Sequence, residues 1–309
     1  MIEPEKLWQL NGGQRRRKLA LTFGALERDI AGIAEPGNEY TFKNMPRNEY
    51  TKKLVELLLK DPELPQEAQT ELKALLSAPV FDERRACNCA RNHLLAIIGT
   101  FPAEWDLVIA PHRQTIASGA ENANNAAPEA KNTKDAAPES QPQGLTTKFA
   151  EKRDFFPGLY VYAEDIRSPF NLGSIFRTAE AFGAEKLYIS PFCTPPEHPR
   201  AVRSAMGCDK ILPWERKSLD KIIAELPNDT AVFTLETGGT DISEFVFPKK
   251  GLVIIGSEEL GVSPDALSKA TYGCVTIPMK GIKASLNVGV AFGVLMQCWI
   301  ASLREQTSG

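Results

Sequence analysis

The sequence predicts an α/β protein: a mostly parallel sheet layered with helices in the second half, preceded by a mainly helical first half. Three observations carry that expectation. Short apolar runs alternate with helical patterns between residues 155 and 303. Residues 1–112 show helical spacing of apolar side chains and no clear strand alternation. Between the two, residues 114–144 are rich in Ala, Asn, Lys and Pro, and Ile116 is their one large apolar residue.

In chain order, the first helices expected are Lys52–Leu59, Gln66–Leu76 and Asp82–Ile98, separated by Pro62, Pro65 and Pro79. The stretch that follows buries too little apolar surface to offset its ordering entropy, so a disordered linker is expected over 113–150. Candidate strands are then Leu159–Ala163, Lys186–Ile189, Ala231–Leu235, Leu252–Ile255 and Cys274–Ile277. Candidate helices are Ser174–Phe182, Arg200–Met206, Leu219–Glu225, Pro264–Ala270 and Ser285–Leu303. The last falls within the uncharged stretch Ala284–Leu303. Its Ser285, Asn287, Gln297 and Ser302, with Gly289 and Gly293, argue for a buried or interfacial helix over a membrane span.

Composition bounds the function classes. The 309 residues suggest about two domains, and a 43% hydrophobic, 24% charged make-up excludes a fibre, a rod or wholesale disorder. With 36 basic and 39 acidic residues, a bulk basic nucleic-acid module is excluded, and any such contact must be a local patch. The candidates are Arg15-Arg16-Arg17-Lys18 with Arg84, Arg85 and Arg91, and Arg200 with Arg203. Cys87, Cys89, Cys193, Cys208, Cys274 and Cys298 have no disulfide-framework spacing, so free thiols in a reducing compartment are expected. The acidic start, without an apolar core, carries no secretory signal, and the expected location is cytoplasmic. Cys87-x-Cys89-x-x-x-His93 is too sparse for a closed metal site, and Cys87 and Cys89 point to different faces of a helix. They are read as buried structural thiols, with no metal.

Three strand-to-helix junctions gather residues suited to chemistry. The first reads Pro169-Phe-Asn171-Leu-Gly173-Ser-Ile-Phe-Arg177-Thr. Ile175, Ala179 and Phe182 share one helix face, and Arg177, about 200° round from Ile175, projects away from it. A helix starting at Ser174 places Arg177 in its first turn, where the macrodipole disfavours a cation, which suggests an anionic partner such as a phosphate. On the residues alone, Asn171 reads equally well as a turn or cap and Arg177 as a solvated charge.

The second junction reads Gly256-Ser-Glu258-Glu-Leu-Gly261-Val-Ser263-Pro264-Asp265. Ser263, Pro264 and Asp265 form a helix-start signature, which leaves Gly256–Gly261 as a loop able to approach a ligand closely. It lacks the middle glycine of a dinucleotide fingerprint, which makes a nucleotide-dependent oxidoreductase remote. The third reads Ile277-Pro278-Met279-Lys280-Gly281, then Ser285-Leu286-Asn287-Val288. Pro278 ends the strand and Ser285 is the expected N-cap of the last helix.

Together and in this order, the three segments resemble the SpoU/TrmH family of the SPOUT superfamily of RNA 2′-O-ribose methyltransferases. The shared patterns are Asn-x-Gly-x-x-x-Arg-Thr, Gly-x-Glu-x-x-Gly, and Ile-Pro-Met followed by Ser-Leu-Asn-Val; the resemblance covers about residues 155–303. It implies a trefoil-knotted methyltransferase domain over 151–309, a homodimer, and S-adenosylmethionine as cofactor, contacted by Gly256, Ile277, Leu286 and Leu235. It implies methyl transfer to a ribose 2′-hydroxyl of rRNA or tRNA, served by Arg177, Asn171, Glu258, Ser285 and Asn287. A guanidinium stays protonated, so the expected role of Arg177 is to orient and stabilise the oxygen, not to act as base. No metal is needed, because a sulfonium is already an activated leaving group. The sequence departs from the family pattern at Glu259, where Gly is frequent, at Gly289, where Ser is common, and at Arg167-Ser168, where an Asp is frequent. The helical segment 1–112 does not resemble the small domain many relatives carry and is a candidate RNA-binding domain. It also motivates the alternative of a non-catalytic RNA-binding or ribosome-assembly protein on the same fold.

Overall fold

The structure is a computed structural model that describes residues 3–33, 45–101, 153–281 and 285–308. The linker expected over 113–150 lies outside the described residues.

The first part is helical, as expected, with α1 (Pro4–Trp8), α2 (Gly12–Ile30), α3 (Arg47–Leu58), α4 (Gln66–Ser77) and α5 (Glu83–Ile97). Side chains satisfy the first backbone donors of two of them: Asn11 accepts from the Gln14 amide at 3.0 Å and Asp82 from the Arg85 amide at 2.9 Å. The core of this part includes Phe23, Leu26, Leu54, Leu58, Leu72 and Leu94. Helix α5 is buried along Ala86–Leu94 without interruption. Its apolar side packs on the other helices, while Asn88, Arg91 and Asn92 turn to the second part of the molecule.

That burial overturns part of the expected basic patch. Arg16 is spent on a buried two-pronged pair with Asp61 at 2.7 and 3.0 Å, Arg15 lies over the Trp8 ring at 4.1 Å, and Arg91 pairs with Glu27 at 2.8 Å. Arg17 and Lys18 are exposed. Helices α1 and α2 were not anticipated. Their charged residues outnumber the apolar ones that reach the core, so the periodic signal is weak.

The second part contains β1 (Phe156–Ala163), α6 (Pro169–Ala181), β2 (Ala184–Ile189), α7 (Pro199–Ala205), β3 (Trp214–Arg216), α8 (Leu219–Glu225), β4 (Ala231–Asp241), β5 (Gly251–Ile255), α9 (Pro264–Lys269), β6 (Gly273–Thr276) and α10 (Val288–Ser308). The strands form one sheet in the order β3-β2-β1-β5-β4-β6, and every neighbouring pair is parallel. Val161 and Val253 are paired and bury into one apolar layer; Tyr162 and Ile254, one residue on, bury into the other. The sheet is therefore covered on both faces, which is why its central strands read as continuous apolar runs.

Three helix starts lie three or more residues from expectation, among them that of α3, which begins at Arg47 and not Lys52 because Pro46 precedes it as the cap. Helix α6 begins at Pro169, five residues before Ser174, because proline's fixed φ and missing N–H suit the first helical position. Arg177 therefore sits two turns into α6, and the argument from a first-turn cation fails. Helix α10 begins at Val288, and its cap is Asn287, which accepts from the amides of Gly289 at 2.9 Å and Val290 at 3.3 Å. Ser285 lies ahead of the helix and does not cap it. Among the described residues, no helix is long and apolar enough to cross a membrane.

Candidate active site

Strands β1 and β5 lie side by side where the strand order reverses: the chain steps outward from β1 through β2 to β3, then returns on the far side. In open parallel sheets the crevice beyond the strand ends at such a point is where ligands bind. Here the loop after β1 meets the loop after β5. The second loop is pinched shut, Ser257 and Gly261 exchanging two backbone hydrogen bonds of 3.1 and 2.9 Å. A Cβ on Gly256 would stand 2.1 Å from the Gly261 carbonyl carbon and the Val262 amide nitrogen, so only glycine fits.

Glu258 ties this loop to its neighbour. Its carboxylate accepts from the backbone amides of Arg167 at 3.0 Å and Ser168 at 3.1 Å, and from Asn171 Nδ2 at 2.8 Å. Burial pushes the Glu258 carboxyl above its ordinary range, and these three donors oppose that shift. Asn171 is fully buried, and its Oδ1 accepts from Asn287 Nδ2 at 3.0 Å. One hydrogen-bonded chain, Asn287 to Asn171 to Glu258, thus joins the three junctions that sequence singled out.

Beside this chain lies a cavity of about 530 Å³. Leu235, Gly256, Ile277 and Leu286, the four residues expected at the cofactor, all line it, as do Glu258, Ser285 and Asn287. Asn171 lies behind Glu258, outside the lining. Arg177 is exposed on α6 and also lies outside the lining.

Four residues have roles that sequence reasoning did not give them. Glu236 lines the cavity and accepts from the amides of Val262 at 2.9 Å and Thr237 at 2.7 Å. Gly173 lets α6 press on α7: a Cβ there would lie 2.0 Å from Ser204 Oγ and 2.2 Å from the Ala201 carbonyl oxygen. Glu259 is buried against α5. It takes hydrogen bonds from Asn88 at 2.7 Å, Asn92 at 3.3 Å and the Arg91 guanidinium. Arg84, at the start of α5, lines the cavity and donates to the Glu259 carbonyl oxygen at 2.9 Å. The departure from the family pattern at Glu259 was the one signal available for the last two.

The thiol and imidazole set aside in the sequence sit elsewhere. Glu71 of α4 joins Cys89 and His93, their ligand-type atoms lying within 4.8 Å of one another, and Cys87 is not part of the group. Burial raises the Cys87 and Cys89 thiols well above the usual range.

Comparison with known proteins places these loops in one family. Residues 158–297 match the SpoU rRNA Methylase family. The chain is 33% identical over 147 residues to an uncharacterized tRNA/rRNA methyltransferase of Synechocystis, covering 45% of this chain and 53% of that protein. It is 32% identical over 150 residues to the 23S rRNA (uridine(2479)-2′-O)-methyltransferase of Streptomyces viridochromogenes, covering 46% and 51%. It is 30% identical over 146 residues to the tRNA (guanosine(18)-2′-O)-methyltransferase of Thermus thermophilus, covering 45% and 73%. The chain spans about half the length of the first two relatives. All three junctions, the Asn171–Glu258–Asn287 chain and every residue lining the cavity except Arg84 fall within the matched stretch, and the chain belongs to the SpoU rRNA methylase family.

Proposed function

We propose that this protein transfers the methyl group of S-adenosylmethionine to a ribose 2′-hydroxyl of rRNA or tRNA. The observation that carries this reading is the convergence of three sequence-distant junctions on one cavity, fastened by the Asn287–Asn171–Glu258 chain. A cavity of about 530 Å³ with Leu235, Ile255, Ile277, Leu286 and Ala291 for apolar walls suits a nucleoside-sized ligand. Glu236 at its edge suits hydroxyl or amine donors. When bound, the cofactor supplies an activated methyl group.

The residues of the chain divide the remaining work. Gly256, Ile277, Leu286 and Leu235 cradle the donor. Glu258 has its oxygens taken by three donors, so it holds the loops in place and does not serve as the base. Asn171 and Asn287 transmit that order to the third loop, whose exposed Ser285 orients the sugar. Arg177, a permanent cation, steadies the attacking oxygen or the adjacent phosphate while the proton leaves to water or a phosphate oxygen. Because Arg177 lies outside the cavity lining of its own chain, it serves the cavity of a second copy. A homodimer is supported by exposed apolar side chains at Leu286, Val290 and Val294, spaced at helical intervals along and just before α10, with Phe170 and Met206 also exposed. Arg200 and Arg203, both exposed on α7, are placed to meet RNA phosphates. The same reading includes a knotted chain, a helical domain over 1–112 and a catalytic domain over 151–309, and a cytoplasmic site of action.

Incubation with labelled cofactor and RNA from a deficient strain is expected to yield alkali-resistant 2′-O-methyl dinucleotides. Arg177→Ala abolishes transfer, and mixing it with a Gly256→Ala variant restores part of the activity if the site is shared between copies. RNA binding without any label transfer would overturn the reading in favour of an assembly role.

A further inference from the structure

We propose that Arg84 is a donor-binding residue, holding the carboxylate of the cofactor's amino-acid end, so that the helical part of the chain completes the cofactor cavity. The inference rests on the methyl-transfer reading above. Every other side chain lining the cavity comes from the α/β part, and among the described lining residues Arg84 is the one cation. The acids there are already engaged. Glu258 accepts from the loop after β1, Glu236 accepts from two amides, and Glu259 is turned into α5. A zwitterionic ligand brings a carboxylate into this half-buried space, and a carboxylate without a hydrogen-bonding cation would be costly there.

Arg84 is also held in place for the task. Residues 84, 88, 91 and 92 follow the i, i+4, i+7, i+8 spacing of a single helix face. All four bond to Glu259: Arg84 to its carbonyl oxygen, Asn88, Arg91 and Asn92 to its carboxylate. The loop that forms the cavity wall is therefore fastened along two turns of α5, and Arg84, at the head of that face, lines the cavity. A guanidinium has five N–H donors in a rigid fork, so it can hold a carbonyl oxygen and a carboxylate together, and little freedom is lost when the second arrives.

The test compares S-adenosylmethionine with decarboxylated S-adenosylmethionine, which keeps the sulfonium, the amine and the nucleoside. Both are titrated calorimetrically into the full chain and into Arg84→Ala. The wild type is expected to bind the carboxylate form tenfold or more tightly than the decarboxylated one. Arg84→Ala is expected to lose that preference while its affinity for the decarboxylated form stays within twofold, and Arg84→Lys to keep an intermediate preference. Equal weakening of both ligands in Arg84→Ala would assign Arg84 to loop structure alone and overturn the proposal. So would unchanged donor affinity with a raised KM for RNA, which would assign Arg84 to a phosphate. A wild type that binds both compounds equally would overturn the inference and leave the methyl-transfer reading standing. A wild type that binds neither would overturn that reading itself.

Discussion

Glu258 and Glu259 are neighbours in one loop, yet they belong to different regions of the molecule. Glu258 is held by the α/β part, mainly through backbone amides of the loop after β1. Glu259 is held by the helical part, through the side chains of Asn88, Arg91 and Asn92. The first arrangement draws on backbone donors that almost any sequence supplies. The second needs particular side chains some 170 residues away in the chain. The loop that walls the cavity is thus a joint: one side is fastened within the stretch that matches the family and the other to the helical part outside it.

The sharpest way to break this comparison is to remove each carboxylate in turn. Glu259→Ala leaves the buried Arg91 facing Glu27 alone and takes one acceptor from each of the Asn88 and Asn92 amides, which keep their bonds to Glu27 and Asn88. The expected cost is ~3–5 kcal/mol of stability, the range for breaking a buried ion pair. Glu258→Ala leaves two amides and one side-chain amide without an acceptor, with an expected cost of about 1–3 kcal/mol. Activity is expected to fall in the opposite order, Glu258→Ala being the more damaging to methyl transfer. Urea denaturation and an RNA methylation assay on the two variants read both orders. If both variants lose stability and activity in the same order, the division between a structural weld and a catalytic brace fails.

A smaller effect is expected at Gly256. The added methyl of Gly256→Ala would press on the backbone of Gly261 and Val262 at 2.1 Å, contacts that yield only if the loop opens. Overpacking of this kind costs about 1–3 kcal/mol, and the loop displaced is the cavity wall. Loss of cofactor affinity beyond the loss of stability is expected, measured by calorimetry below the unfolding transition. Retention of wild-type affinity would show that the pinched form of the loop is not the binding form.

Much of the α/β region was legible because its signals are local. Strands β1, β2, β4 and β5 read as apolar runs because the sheet is covered on both faces, and Ser263-Pro264 announced α9, with Ser263 accepting from the Ala266 amide at 3.1 Å. Strand β3, three residues long on the sheet edge, has too few side chains for any pattern. The start of α6 was misjudged because Asn171 and Gly173, poor helix formers, open it. They are there to bond Glu258 and to admit α7, which are tertiary reasons invisible to a local pattern. The four residues expected at the cofactor do meet at one cavity. Arg84 and Glu259 were not read as partners, since nothing in a sequence pairs an arginine with a carbonyl 175 residues further on. The basic cluster misled for the same reason: charge can be counted along a chain, but whether Arg16 and Arg91 face water or a buried acid is decided by packing.

The weld also carries a titration. Glu27 and Glu259 share the Arg91 guanidinium, Glu27 at 2.8 Å, so two buried carboxyls compete for one cation. Burial lifts the Glu27 carboxyl from its ordinary 4.5 to about 7, opposed by Arg91 and reinforced by the charge of Glu259. The folded protein therefore keeps a proton on Glu27 that the unfolded chain releases. Stability from this group is fully present below the unfolded value and is lost as pH rises from about 4.5 to about 7. Where the proton difference is complete the slope approaches ~1.4 kcal/mol per pH unit. Glu27→Gln keeps a hydrogen-bonding side chain that does not titrate, so its stability is expected to fall less steeply across this window. Glu164 and Glu258, also raised by burial, supply a residual slope in both proteins. Urea midpoints at pH 5, 6, 7 and 8 measure the difference. Parallel curves for the two proteins would mean that Glu27 is already ionised in the fold, with Arg91 able to serve both acids at once.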